Sequence, residues 1–302
     1  MEKEITHREA LRLIGDAELA GLKTLSDRTG LLHLAGHIGL LAVTAIAVLT
    51  LPGPWWIAAM AAHGVALVFL FTPLHESIHG TAFRTPWINE AVASAAGFLI
   101  ALPPCEFRYF HLAHHRHTQD PENDPELAGP KPGNVPQYLL YLSGLLYWKA
   151  QATNIVANAL GRKIGSYVPS AGRRKVIREA RIHLAAYGLI AVLGVAFRLD
   201  VLLWLWVFPA ILGQPFLRAY LLAEHSACPF VADMLANTRT TFTNAAVRFL
   251  AWNMPHHTAH HALPSVPFHR LPVLTRLLRD RLKSTAASYR EAHQQIRGAW
   301  KV

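Results

Sequence analysis

PWWIAAMAAHGVALVFLFTPLHESIHG, residues 54–80, has no Lys, Arg, Asp or Glu before Glu76 and closes on His75 and His79. About 20 apolar residues suffice to cross a hydrocarbon core. The stretch therefore reads as a membrane span whose end carries an H-x-x-x-H pair. Residues four apart share one face of a helix, so the two imidazoles point to one side. Residues 31–51 form a second uncharged run of span length. Residues 183–197 and 201–217 form a tight pair, split by Arg198-Leu199-Asp200. Residues 91–102 are apolar but short, and read as a re-entrant or interfacial segment.

Composition agrees. The chain is 52% hydrophobic and 16% charged, against about 25% charged in a soluble domain. Residues 1–30 carry Glu2, Lys3, Glu4, Arg8 and Glu9 and lack the apolar core of a secretory signal. Thr6-x-x-Glu9 before Ala10, Leu11 and Leu13 instead predicts a capped amphipathic helix lying on the membrane face. Cys105 and Cys228 are isolated, so neither an iron–sulfur centre nor a disulfide is expected. A Gly-rich dinucleotide fingerprint is absent. The net charge of +10 fits Lys and Arg meeting anionic lipid head groups rather than nucleic acid.

Loop charges orient the spans. The turn at 51–54 is uncharged and the turn at 198–200 holds only Arg198 and Asp200. Residues 103–181 carry Arg108, Arg116, Lys131, Lys149 and the Arg173-Arg174-Lys175 run, and the segment after Leu217 is Arg-rich. Both termini and the long middle segment are thus expected in the cytosol. The expected fold is an all-α integral membrane protein: about four transmembrane helices with a cytosolic helical cap. It is read as a single domain over 1–302. An N-terminal interfacial helix lies in 1–30, spans lie in 31–222 with a cytosolic insert at 75–182, and a cytosolic segment follows at 223–302. Within the insert, 120–136 reads as a loop. Residues 135–160 read as an interfacial helix or hairpin, with two further spans as the competing reading. From Pro272, Leu274, Leu277, Leu278 and Leu282 alternate with Arg276, Arg279, Arg281 and Lys283. That pattern predicts a basic amphipathic helix for the membrane surface.

Histidine is clustered three times. After His75 and His79 come His111, His114 and His115 in HLAHHRHT, then His257, His260 and His261 in PHHTAHH. On a helix each cluster can offer two or three nitrogens to one point. Eight such donors exceed one four-coordinate ion and point to two metal ions held together. Topology, derived without the histidines, puts all three clusters on the cytosolic side, and His225 emerges there at the end of the fourth span. Imidazole suits iron, zinc or copper alike. A redox-active pair at a lipid boundary could use dioxygen on an unactivated C–H bond, whereas an inert pair could only do hydrolytic or Lewis-acid work.

In order and spacing, HESIHG, HLAHHRHT and HHTAHH resemble the membrane fatty acid desaturase and hydroxylase superfamily, over roughly residues 55–270. The resemblance implies a histidine-held non-haem di-iron centre (Fe2+/Fe3+) with O2 as co-substrate. It also implies an acyl or other apolar lipid substrate and electrons from a ferredoxin, rubredoxin or cytochrome b5 type donor. Carried over, the ligands are His75, His79, His111, His114, His115, His257, His260 and His261, with His225 of Ala-Glu-His as a ninth. Glu76, Asp120, Asp124 and Glu224 are candidates to orient ligand imidazoles from behind. The three-residue gap in the first box matches alkane hydroxylases and some acyl-lipid desaturases. The expected activity is desaturation, with hydroxylation on the same centre as the alternative. The expected place is a multi-pass position in the membrane, the bacterial inner membrane being favoured over the endoplasmic reticulum.

One rival is a membrane metal-binding or transport protein, which would need polar residues along a path through the spans. His33, His37 and His63 are its only hint. His33 and His37 also show H-x-x-x-H spacing, but they lack a partner cluster and read as packing residues.

Overall fold

A computed structural model describes residues 5–129 and 131–300. The chain starts with the predicted capping box: Glu9 N–H donates to the Thr6 hydroxyl, and Thr6 N–H donates to the Glu9 carboxylate at 2.9 Å. Helix α1 (His7–Arg12) and helix α2 (Asp16–Leu22) follow. Their apolar face meets protein: Ala10, Ile14 and Leu22 are buried in the main core, and His7 N–H donates to Asp233 at 2.8 Å. The expected membrane face of this segment is largely spent on that core.

Helix α3 (Asp27–Thr50) is the first span-length helix. After the Pro52-Gly53 turn, α4 (Pro54–Val68) and α5 (Phe71–His79) run on as one 26-residue stretch. Helices α6 (Pro86–Leu99) and α7 (Pro104–His117) meet at a 102° bend. Pro103 and Pro104 lie at that bend, where one ring removes a backbone donor and the other sets the first helical turn. The short apolar segment at 91–102 thus belongs to a broken helix pair. Helices α8 (Val135–Leu142) and α9 (Leu145–Ala159) are 8 and 15 residues long. Gly144, at φ +73°, breaks them apart. Both fall short of the length that crosses a bilayer and neither is among the span-length helices, which favours the interfacial helix or hairpin reading of 135–160 over two further spans.

Helix α10 (Ser170–Ala196) is the third span-length helix. A π-helical turn at Leu203–Val207 leads into α11 (Phe208–His225), and together they make a 23-residue fourth. Among the described residues the chain is therefore all-α apart from one two-residue parallel pairing, Thr240–Thr241 with Thr285–Ala286. Lipid-facing surface is plain on the outer helices: Val43 is 65% exposed and Val195 83%. Large apolar side chains left bare in this way along span-length helices fit a hydrocarbon solvent.

The central contact is between α4 and α11. A Cβ on Gly64 would stand 2.2 Å from the Pro209 carbonyl oxygen, and one on Gly213 would stand 2.2 Å from the Gly64 oxygen. Only glycine lets the two backbones approach this closely, a common device of membrane helices. The membrane histidines are satisfied locally. His37 Nε2 lies 2.8 Å from the Ala66 carbonyl, His33 Nε2 2.8 Å from that of Phe249, and His63 Nε2 3.0 Å from that of Leu205.

The chain after His225 folds over one end of the spans as α12 (Met234–Asn237), α13 (Ala245–Leu250), α14 (His257–Ala262), α15 (Leu271–Leu278) and α16 (Tyr289–Gly298). Trp252, Phe268, Leu271, Leu274 and Leu278 pack there with Phe83 of the α5–α6 loop, with Val68 and Phe69 at the α4–α5 junction, and with Leu217 and Tyr220 of α11. This corrects the reading of the segment after Pro272. Leu274 and Leu278 share one face of α15 with Leu271, and that face is buried in the core and not laid on a membrane, with Leu277 and Leu282 partly buried against it.

Candidate metal centre

Four helices bring the boxed histidines together. Helix α5 carries His75 and His79 to its last turn and stops at Gly80, whose φ of +73° forms a left-handed cap. Helix α7 carries His111, His114 and His115. Helix α14 carries His257, His260 and His261, and α11 ends on His225. Left-handed non-glycine residues stand next to three of these elements: Gln119 (φ 61°), Ala227 (φ 60°) and Asn253 (φ 56°). Such backbone costs roughly 1–3 kcal/mol per residue and persists where surrounding structure over-determines it.

The imidazoles gather in two groups. In the first, ligand atoms of His75, His79, His111, His115 and His260 all lie within 4.8 Å of one another. Nε2–Nε2 separations are 2.7 Å for His75–His111, 2.9 Å for His111–His115 and 3.1 Å for His115–His260. In the second, His114, His225 and His261 meet the same limit. His257 joins them, its Nε2 3.1 Å from that of His225. A whole box was expected to serve one point. The H-x-x-H-H boxes are instead divided. Positions i and i+4 lie about 40° apart around a helix, while i+3 points about 60° to the other side. So α7 sends His111 and His115 to the first group and His114 to the second. Helix α14 makes the opposite split, with His260 in the first group and His257 and His261 in the second.

Hydrogen bonding does not account for this convergence. A neutral imidazole nitrogen has one proton or one lone pair, yet the Nε2 atoms of His111, His115 and His225 each face two others. The buried Nε2 atoms of His79 and His261 have no hydrogen-bond partner among the described residues. Metal–imidazole bonds of about 2.0–2.1 Å would set adjacent nitrogens about 3 Å apart, which matches the observed spacings.

Tautomers in the second group are fixed from behind. His114 Nδ1–H donates to Asp124 at 2.9 Å, and His225 Nδ1–H to the Asn237 carbonyl at 3.3 Å. The Thr118 hydroxyl gives its one proton to the His114 carbonyl, so it accepts from His261 Nδ1–H at 3.1 Å. Each of these rings therefore turns an Nε2 lone pair inward, as a metal ligand must. Burial holds His257, His260 and His261 well below the ordinary imidazole pKa, with neighbouring histidines adding to the effect. They stay neutral where an exposed histidine would charge, and neutral imidazole is the form that binds metal. The donor set fits two ions.

The four acidic candidates are placed differently. Asp124 is buried on His114, and Glu224 lies 3.5 Å from His257 Nδ1. Glu76 is buried but accepts from the Thr81 hydroxyl at 2.7 Å rather than from a boxed histidine. Asp120 lies in an exposed turn with Glu122 and Asn123. Sequence reasoning passed over Thr118, Asn237 and Glu126. Glu126 Oε2 is 3.4 Å from His114 Nε2, and its Oε1 accepts from Lys131 at 2.7 Å. Burial raises the Glu126 carboxyl, but the Lys131 ammonium and the nearby histidines outweigh it and hold the group well below the usual carboxylate range. The D-P-E spacing after the second box was the one available signal for Glu126. Nothing local marks Thr118 or Asn237.

A cavity of about 300 Å³ opens on both groups, touching His75, His111, His114 and His257. Phe71, Leu102, Phe107, Phe110, Leu221 and Met254 supply its apolar wall. Arg218 also lines it, its guanidinium 4.4 Å above the Tyr147 ring.

Residues 28–293 match the model of the fatty acid desaturase family. The chain is also similar to the sn-1 oleoyl-lipid 12-desaturase of Picosynechococcus sp., at 23% identity over 261 residues, 80% of this chain and 73% of that protein. The match covers all four span-length helices and every histidine of both groups, so the chain belongs to the fatty acid desaturase family and is a membrane oxidoreductase of that type.

Proposed function

We propose that this protein is an O2-dependent desaturase of a lipid acyl chain, with His75, His79, His111, His115 and His260 holding one iron and His114, His225, His257 and His261 a second. The observation that carries the reading is the gathering of nine imidazoles into two groups on the wall of one partly apolar cavity. When bound, an iron pair supplies the O2-activating, C–H-oxidising chemistry that no side chain here offers. The protein's own part is positional. Phe107 and Phe110 alternate with the histidines of α7, so one helix presents both donors and cavity wall. Phe71 stacks on His75 with centroids 5.8 Å apart and does the same from α5. An acyl chain lying along that wall is held beside the imidazole groups with water displaced from its methylenes. Reaction depends steeply on such placement: an error of about 1 Å can cost about 10²-fold. The curated relative acts on an oleoyl lipid by name, which supports a lipid-bound acyl chain as substrate.

Orientation is part of the proposal. The uncharged Pro52-Gly53 turn lies on the far side, and the termini and imidazole groups lie in the cytosol, with a bacterial inner membrane as the setting. Residues 1–302 then act as one domain. Electrons come from a separate ferredoxin, rubredoxin or cytochrome b5 type protein.

Expression in a host lacking such an activity, with lipid mass spectrometry and metal analysis of the purified protein, tests the reading. A product two mass units lighter, iron near two per chain and O2 consumption are expected. A product sixteen units heavier would assign a hydroxylase on the same residues. Zinc in place of iron, with no O2 uptake, would sink the oxidoreductase mechanism proposed here.

A further inference from the structure

We propose that Glu126 is a carboxylate ligand of the second metal position, held in place by Lys131. The proposal rests on the di-iron reading above and adds a donor that is not a histidine. Three carboxylates approach the boxed histidines within 3.5 Å among the described residues, and they do so from different sides. Asp124 faces His114 Nδ1, and Glu224 faces His257 Nδ1. Both stand behind their rings. Glu126 alone faces an Nε2 atom, 3.4 Å from that of His114. An oxygen 3.4 Å from His114 Nε2 is as near to it as a neighbouring ligand of the same ion would be, given metal–ligand bonds of about 2.0–2.2 Å, although the set lying mutually within 4.8 Å is His114, His225 and His261 without it.

The chain builds this placement. Asp124 caps the short turn Pro125–Ala128 by accepting from Glu126 N–H at 2.9 Å, and the same carboxylate oxygen holds His114. One buried aspartate thereby fixes the histidine and the glutamate relative to each other. Lys131 then takes Oε1 at 2.7 Å. With one oxygen clamped, Oε2 is turned to the imidazoles. The donor count also evens out. The first group has five imidazoles and the second four, so Glu126 brings both positions to five. A carboxylate adds what imidazole cannot: an anionic donor beside a buried divalent ion.

The test is 57Fe Mössbauer spectroscopy, with iron content, on the purified full-length holoprotein and its Glu126→Gln variant. The exposed Glu122→Gln serves as control. Two iron environments are expected in the unmodified protein and in the control. Glu126→Gln should alter one environment and leave the other, and that one iron should be lost to a chelator at least about tenfold more readily. Two irons with spectra identical to the unmodified protein would overturn the role of Glu126 and leave the di-iron reading standing. An unmodified protein holding fewer than two irons would overturn both. If Glu126→Gln does not purify as a monodisperse protein, Lys131→Met carries the test. It keeps the carboxylate and removes the clamp, so two irons with one altered environment are expected. An unaltered spectrum there also overturns the proposal.

Discussion

In the five-imidazole group the buried Nδ1 atoms of His75, His115 and His260 have no hydrogen-bond partner among the described residues. In the four-imidazole group Asp124, the Asn237 carbonyl and the Thr118 hydroxyl each hold an Nδ1–H, and Glu224 stands 3.5 Å from the fourth ring. The same residue type is thus aimed in two ways. Three rings of the second group are oriented from behind by acceptors that fix tautomer and ring angle and raise the basicity of the inward nitrogen, while His257 Nδ1 has no hydrogen-bond partner among the described residues. The first relies on number: two i, i+4 pairs and a fifth ring crowd one point, and the Nδ1 atoms of His75, His115 and His260 stay unpaired at a cost of about 1–3 kcal/mol each. Two ions bound here would meet different donor strengths although both see mostly imidazole.

The sharpest way to break this comparison is to remove a ring from the group that has nothing but rings. His260→Ala takes away the donor that reaches the first group from the C-terminal segment, 3.1 Å from His115. Activity should fall below detection and iron should drop to about half, with the protein still in the membrane. Product assay and metal analysis check it. Retained activity would mean that His260 is not needed and that the five-ring group is over-counted.

Asp124→Asn probes the other side. Its carboxylate holds His114 and also accepts from Gln119 N–H at 2.9 Å. Losing an acceptor behind a metal-binding histidine typically costs about 10–100-fold in metal affinity. The loss should fall on one of two irons, read by chelator competition. An equal loss of both would show that the groups are not independent.

How much of this was legible before the structure follows from the kind of signal involved. Span-length apolar runs and i, i+4 spacing are local, so the four long helices and the boxed histidines could be named from sequence. The split of each H-x-x-H-H box could not. It depends on how α7 and α14 are rotated against each other, and no periodicity encodes that. Leu274 and Leu278 were misplaced on the membrane surface for a related reason. An amphipathic face declares that it will be buried, not what will bury it. Asp124 and Asp120 looked equivalent in DPENDP, yet one caps the 125–128 turn into the site and the other stays in an exposed turn.

Thr118→Val makes a smaller change in the supported group. It removes the acceptor of His261 Nδ1–H and nearly preserves shape. A buried hydrogen bond of this kind contributes roughly 0.5–1.5 kcal/mol, so retention of the second iron should weaken only a few-fold. An effect as large as that of Asp124→Asn would mean that the charge on Asp124 is not what distinguishes the stronger support.

The smallest expected effect on metal is the most informative about histidine spacing. His37 shares its H-x-x-x-H pattern with His75 and His79, but its Nε2 is 2.8 Å from the Ala66 carbonyl and joins α3 to α4. His37→Ala should leave iron content and Mössbauer spectra unchanged. Removing a buried hydrogen bond and ring should still destabilise the α3–α4 contact by about 1–3 kcal/mol, seen as a lower melting temperature in detergent. The two readouts separate packing from ligation, because a ligand lost from either group must lower iron before it lowers stability. If His37→Ala instead depleted iron as His260→Ala does, position in the span would not be what divides structural from metal-binding histidines, and the contrast between the two groups would need a third member.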